Sequence, residues 1–150
     1  MTISNKGNSA YATCNKDIAD ELQNYAASNG NEIHYFKEIL CNCENTIFNL
    51  HIDDEECVLI RVCSSCGVDH VMLDGEEYLE DATFYQAECT CSEKEFELSI
   101  GIEMYKDNEQ LSDTVRWLYM GCRCPKCNLV GCYADWKNEF VGRDKFLDNA

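Results

Sequence analysis

Residues Cys41 to Ile52 read "CNCENTIFNLHI", and residues Cys89 to Ile100, forty-eight positions further on, read "CTCSEKEFELSI". Each opens with Cys-x-Cys, and each carries Phe, Leu and Ile at the same offsets: Phe48, Leu50 and Ile52 against Phe96, Leu98 and Ile100. Apolar side chains at every second position mark a strand with one buried face. Each segment then turns, returns through a second apolar run, and ends in Cys-x-x-Cys: "CSSC" at Cys63 and Cys66, "CPKC" at Cys124 and Cys127. A third run follows in both, "VDHVMLD" and "LVGCYADW", with Asp74 eight residues beyond Cys66 and Asp135 eight beyond Cys127. Agreement in cysteines, hydrophobic period and trailing aspartate marks a duplicated unit.

Working outward from this pair, the chain reads as α+β, mostly β: an N-terminal helical segment followed by two tandem antiparallel β units. Residues 1–14 are polar and expected to be loose. The helical segment covers 15–40. Within it, "NKDIADELQNYAAS" spaces Ile18, Leu22 and Tyr25 for one helix face, and "SNGN" (Ser28 to Asn31) stops it. "EIHYFKEIL" continues with helical spacing at Ile33, Phe36, Ile39 and Leu40, a strand being the alternative. The first repeat spans 41–80 and the second 89–150, with a joint at 81–88 containing "DATFYQA". Two hairpins are expected, one turning at "DDEE" (Asp53 to Glu56) and one at "KDNEQLSD" (Lys106 to Asp113).

Four thiols per unit, as Cys-x-Cys, hairpin, Cys-x-x-Cys, suit a tetrahedral metal. A Cys-x-x-Cys turn aims two sulfurs at one point, and the hairpin brings the second pair across. The expected ligands are Cys41, Cys43, Cys63 and Cys66 for one site, and Cys89, Cys91, Cys124 and Cys127 for the other. Zinc is the expected ion, two per chain; an iron–sulfur cluster or disulfides are the alternatives. Four protein ligands leave no open position, so such a zinc holds structure and does not activate water.

Cys14, Cys57, Cys122 and Cys132 are left over. Cys122 aligns with Arg61 and Cys132 with Val71, so both read as strand residues, although Cys122 in "CRCPKC" competes with Cys124 for the second site. His51 aligns with Ser99 and His70 with Gly131, and His34 lies outside the repeat, so the histidines are not expected to be ligands.

The chain has 150 residues and 45% apolar content, of which the twelve cysteines make up 8%, leaving 37%. That is a thin supply for two independent cores, and small units of this kind depend on staples. Formal charge is 12 − 28 = −16, and two tetrathiolate zinc centres would carry it to roughly −20. Direct nucleic-acid binding is disfavoured, because a phosphate backbone selects for cationic patches. No apolar signal region opens the sequence and no run has the length of a membrane span, so a reducing, cytoplasmic setting is expected.

From Cys41 to about Leu147 the chain resembles an uncharacterised group of bacterial proteins with two tandem zinc-ribbon-like halves. The likeness rests on the paired Cys-x-Cys and Cys-x-x-Cys and on "GCYADWK" (Gly131 to Lys137), with "FLD" (Phe146 to Asp148) downstream. It implies a zinc-bearing β fold and no assigned activity. Glu44 and Ser92 stand where that pattern has glycine after each Cys-x-Cys, which points to looser half-sites there. The ligand order is also similar to that of redox-switched zinc chaperones, which implies zinc release on oxidation.

No phosphate-binding loop or nucleophile motif is present, so an enzyme is not expected. The leading expectation is a zinc-binding acidic interaction module, of the inhibitor or immunity type, acting on a basic protein partner. A thiol/zinc redox sensor and a structural adaptor are the alternatives. Trp117, Tyr119, Tyr133 and Trp136 are candidates for an exposed aromatic anchor, against packing between the halves.

Overall fold

The two repeats meet along one pair of strands, β4 (Ile47–Asp53) and β8 (Phe96–Asp107), which run antiparallel with Phe48 opposite Phe96. The computed structural model describes residues 4–6, 9–11 and 16–150, with side chains at 18–137 and 142–150. The first unit continues from β4 to β5 (Val58–Cys63) and β6 (Asp69–Val71). The second continues from β8 to β9 (Gln110–Arg123) and β10 (Leu129–Gly142). Joined at β4 and β8, they form one mixed-length sheet in the order β10-β9-β8-β4-β5-β6. The N-terminal stretch adds β1 (Ser4–Lys6) and β2 (Ser9–Tyr11), an antiparallel pair of which β2 lies along the outer edge of β10.

The repeat is longer than its cysteines suggest. Strand β3 (Tyr35–Glu38) precedes the first Cys-x-Cys but pairs with β8 of the other unit, Lys37 opposite Ile100 and Glu38 opposite Ser99. Strand β7 (Tyr85–Gln86) precedes the second Cys-x-Cys and pairs with β4, Tyr85 opposite Ile52 and Gln86 opposite His51. Adding forty-eight to the numbers of one contact set, and subtracting it from its partners, gives the other. The next residues agree: Ile39 N–H donates to Leu98 O at 3.0 Å, and Ala87 N–H donates to Leu50 O at 2.8 Å. A pseudo-twofold therefore passes between Phe48 and Phe96, and each unit sends its leading strand across to the other.

Within the 15–40 helical segment, "EIHYFKEIL" takes the alternative, a strand, and the helix is confined to its first part. The helix α1 (Lys16–Ser28) ends at Gly30, whose φ of 78° ends it at low steric cost. Ile33 and Ile39 are 4% and 1% exposed but belong to different clusters, Ile33 beneath α1 and Ile39 in the main core. Six residues reach about 20 Å as a strand and only about 9 Å as a helix, so the chain is extended between two cores. The 81–88 joint likewise contains β7 instead of being a plain connection.

Turn chemistry sets the hairpins. Asn108 and Glu109, at φ 51° and 68°, make the two-residue loop between β8 and β9, which absorb most of the expected longer turn. At the other hairpin, Asp53 Oδ1 accepts from Glu55 and Glu56 N–H, and Oδ2 accepts from Thr83 N–H at 2.6 Å.

Both units contribute to one main core, including Phe48, Leu50, Phe96 and Leu98. A smaller core lies beneath α1, where Ile18, Leu22 and Ala26 pack against Tyr119 and Val130. Gly121 makes that approach possible, since an added Cβ would overlap Ile18. A 3₁₀ helix (Gly75–Asp81) covers Val58 in the first unit, and α2 (Arg143–Asp148) buries Phe146. Tyr119 and Trp136 are buried, and Trp117 and Tyr133 pack partly buried against the two cores. The four aromatics are therefore packing residues and not an exposed anchor. Among the described residues, no helix is long and apolar enough to cross a membrane.

Candidate metal centres

Four tight turns build the two sites. At Cys41 and Cys89 the i+3 amide returns to the cysteine carbonyl: Glu44 N–H to Cys41 O and Ser92 N–H to Cys89 O, both 2.8 Å. At the second pair in each unit the i+4 amide does so: Gly67 N–H to Cys63 O at 3.0 Å and Asn128 N–H to Cys124 O at 2.8 Å. All four closing residues are left-handed, with φ of 74°, 77°, 75° and 67° for Glu44, Ser92, Gly67 and Asn128. Glu44 and Ser92 thus adopt the turn that glycine would have eased, and the half-sites they close are as tight as the others.

The result is two separate quartets. Cys41, Cys43, Cys63 and Cys66 form one and Cys89, Cys91, Cys124 and Cys127 the other, each with its sulfurs within 4.8 Å of one another. The closest pairs correspond: Cys41–Cys66 at 3.6 Å and Cys43–Cys63 at 3.5 Å, then Cys89–Cys127 at 3.5 Å and Cys91–Cys124 at 3.6 Å. Sulfurs about 2.3 Å from a central tetrahedral ion lie about 3.8 Å apart. A disulfide would need about 2.05 Å, and these cysteines are free.

The surroundings fit a charged metal–thiolate group. Cys63 Sγ accepts from the N–H groups of Ser65 and Cys66 at 3.4 Å each, and from Asn45 Nδ2 at 3.2 Å. The Cys66 amide leads the effects that draw the Cys63 thiol down to about 5. Cys91 is drawn down to about 7, chiefly by the Glu93 amide. Cys43 and Cys66 are raised by neighbouring thiols and Cys124 and Cys127 by burial, so that one thiol in each quartet is the readiest to ionise. Near the first quartet, the Arg61 guanidinium lies 5.1 Å over the Phe48 ring and donates from Nη2 to Ala150 O at 3.1 Å, while its Nε is buried without a hydrogen-bond partner. A buried cation near Cys41, Cys63 and Cys66 calls for negative charge there, which a divalent ion held by four thiolates would supply.

The units differ around this shared frame. Where the first has Arg61, the second has Cys122, fully buried in β9 opposite Leu98 and outside the quartet. Tyr133 lies on this side of the second unit, its ring 5.1 Å from that of Phe96 in an edge-on contact. Arg123 donates to Glu97 Oε2 and to Asn128 Oδ1, both at 2.7 Å, and so fastens the second unit's turn to β8. Cys43 and Cys66 are exposed, whereas Cys91 and Cys127 are half-buried. The supporting roles of Arg61, Arg123, Asn45 and Tyr133 were not anticipated. A cation within "CRC" was the one available signal, for Arg123.

The other candidates lie elsewhere. Cys57 sits at the tip of the first hairpin with φ 60°, and Cys132 is half-buried on β10 with its sulfur 3.4 Å from Ala134 O. Cys14 falls outside the described residues. His34 Nδ1 accepts from Met104 N–H at 3.0 Å, His70 Nε2 lies 2.9 Å from Asn149 O, and His51 sits in β4 opposite Ile60.

Two four-cysteine clusters, one per half, define tandem zinc-ribbon-like units, and either cluster could hold a metal ion. No protein-family model, curated protein or solved structure matches the chain.

Proposed function

We propose that this chain is a zinc-stapled acidic binding module that engages a basic protein partner, in the manner of an inhibitor or immunity protein, and is not an enzyme. The carrying observation is that each quartet supplies all four ligands from the protein, with backbone turns closed behind them. Zinc held this way has no position for water or substrate, so its contribution is to fold and rigidity. The thiolate donor set selects a soft or borderline ion, which zinc satisfies without redox chemistry. The formal charge of −16 supports fast association with a cationic partner.

Elemental analysis of protein purified without added metal tests the first half: two zincs per chain are expected, and one each in Cys66→Ser and Cys127→Ser. Iron in place of zinc, or cystine at these positions, would overturn it. The second half predicts an association rate with a basic partner that falls steeply with salt.

A second reading, a thiol/zinc redox sensor, draws on the exposure of Cys43 and Cys66. Two thiolates would be oxidised to a disulfide and one peroxide reduced to water, with zinc released. Unchanged zinc content after mild peroxide treatment would end that reading.

A further inference from the structure

The pseudo-twofold relates the two outer edges of the central sheet, and among the described residues a strand covers only one of them. An offset of sixty-one carries Cys63 to Cys124, and with it Val68 to Leu129 and Asp69 to Val130. In the second unit this edge accepts β2, with Leu129 opposite Tyr11 and Val130 opposite Ala10. In the first unit β6 ends the sheet, and among the described residues no strand pairs with its outer side.

That outer side has the means to pair. Met72 N–H bonds Leu59 O at 2.9 Å and Cys63 N–H bonds Val68 O at 3.0 Å, which sets the antiparallel alternation with β5. In that alternation the N–H and C=O of Asp69 point away from β5. The Asn149 side chain reaches Val71 O at 3.4 Å, so the open portion is Val68 to His70. Val68 is 56% exposed there, whereas its counterpart Leu129 packs against the core.

Charge selects the occupant. Residues 41–81 hold eleven carboxylates and one cation, the buried Arg61, so 1 − 11 = −10; residues 89–150 hold eight cations and eleven carboxylates, so 8 − 11 = −3. A second copy presenting the same face would be repelled, and a cationic strand attracted.

We propose that the outer edge of β6 is a docking site for an extended, basic segment of a partner protein. The segment adds as a strand beside Val68–His70, as β2 does on the equivalent edge of the second unit. Main-chain bonds to Asp69 supply the register, Val68 offers apolar contact, and the net negative charge of residues 41–81 favours lysine or arginine. This rests on the reading of the chain as an acidic module and assigns its surface.

The test titrates the zinc-loaded full chain with a capped nonapeptide alternating lysine and valine, observed through backbone amide shifts. Binding is expected to shift the amides of Val68, Asp69 and His70, to weaken several-fold between about 0.02 M and about 0.2 M salt, and to be lost with glutamate in place of lysine. Asp69→Pro removes an outward N–H without disturbing the β5 ladder, and is expected to weaken binding at least tenfold while keeping two zincs. Asp69→Lys should weaken it as well with the edge intact. Peptide binding elsewhere, or unchanged by Asp69→Pro, overturns the assignment and leaves the acidic-module reading in place; no binding of the lysine peptide at low salt sinks both. Self-association abolished by Asp69→Pro would give the edge to a second copy and likewise overturn the proposal.

Discussion

Phe48 and Phe96 occupy the same position in two copies of one unit and face each other across β4 and β8. Both rings are fully buried, Phe48 beneath the Arg61 guanidinium and Phe96 at 5.1 Å from Tyr133 in an edge-on contact. Truncating either one to alanine is expected to cost about 3–5 kcal/mol. Because the two share one packing layer on the pseudo-axis, Phe48→Ala and Phe96→Ala together should depart from additivity by about 0.5–3 kcal/mol. Urea unfolding of the zinc-loaded variants measures the cycle, and strict additivity would mean the two units do not share that layer.

Glu44 and Ser92 hold left-handed backbone at φ 74° and 77°, a conformation that disfavours side chains with a Cβ by about 1–2 kcal/mol. Glycine removes that penalty and returns part of it as unfolded-chain entropy. Glu44→Gly and Ser92→Gly should each stabilise by about 0.5–1 kcal/mol, and Glu44→Val should destabilise. Chemical unfolding with matched zinc content decides the sign.

Arg61 and Cys122 stand at equivalent positions, so the two centres differ by a buried positive charge. Arg61→Leu should weaken the first centre's hold on zinc by about 10–100-fold and leave the second unchanged. Arg61→Lys should recover part of the loss. Competition with a colorimetric chelator resolves the two zincs, and equal weakening of both would show that Arg61 acts through general stability.

Asp53 has its carboxylate drawn below the ordinary range, first by the Thr83 amide and then by those of Glu56 and Glu55. A carboxyl whose folded value is depressed contributes stability that is complete above its unfolded value, about 3.9, and is lost as pH falls through the folded value. The stability difference between the native chain and Asp53→Asn should therefore be constant above about pH 5 and shrink below about pH 4. Unfolding titrations of both proteins across that range give the answer.

The two quartets were legible in the chain because a metal site needs particular atoms at particular spacings, and a duplication states the spacing twice. The strands around them were legible from their period of two. Strand β3 was not, because Ile33, Phe36, Ile39 and Leu40 fall at helical intervals while the demand that extends them comes from two separate cores. Strand β7 was hidden in the same way: its two residues owe their conformation to β4, which lies more than thirty positions earlier. The tightness of the Glu44 and Ser92 turns was also invisible, since residue type understates what four sulfurs converging on one point can impose on a backbone. Arg61 was aligned correctly, but nothing in one dimension places its guanidinium near the first quartet.

Because β3 and β7 each cross to the opposite unit, the halves are clasped like two linked hands. Cutting the chain near Thr83 would leave each fragment still gripped by a strand of the other, so a nick there need not release either. Each half thus completes its sheet with a strand borrowed from the other, although each holds its own four sulfurs.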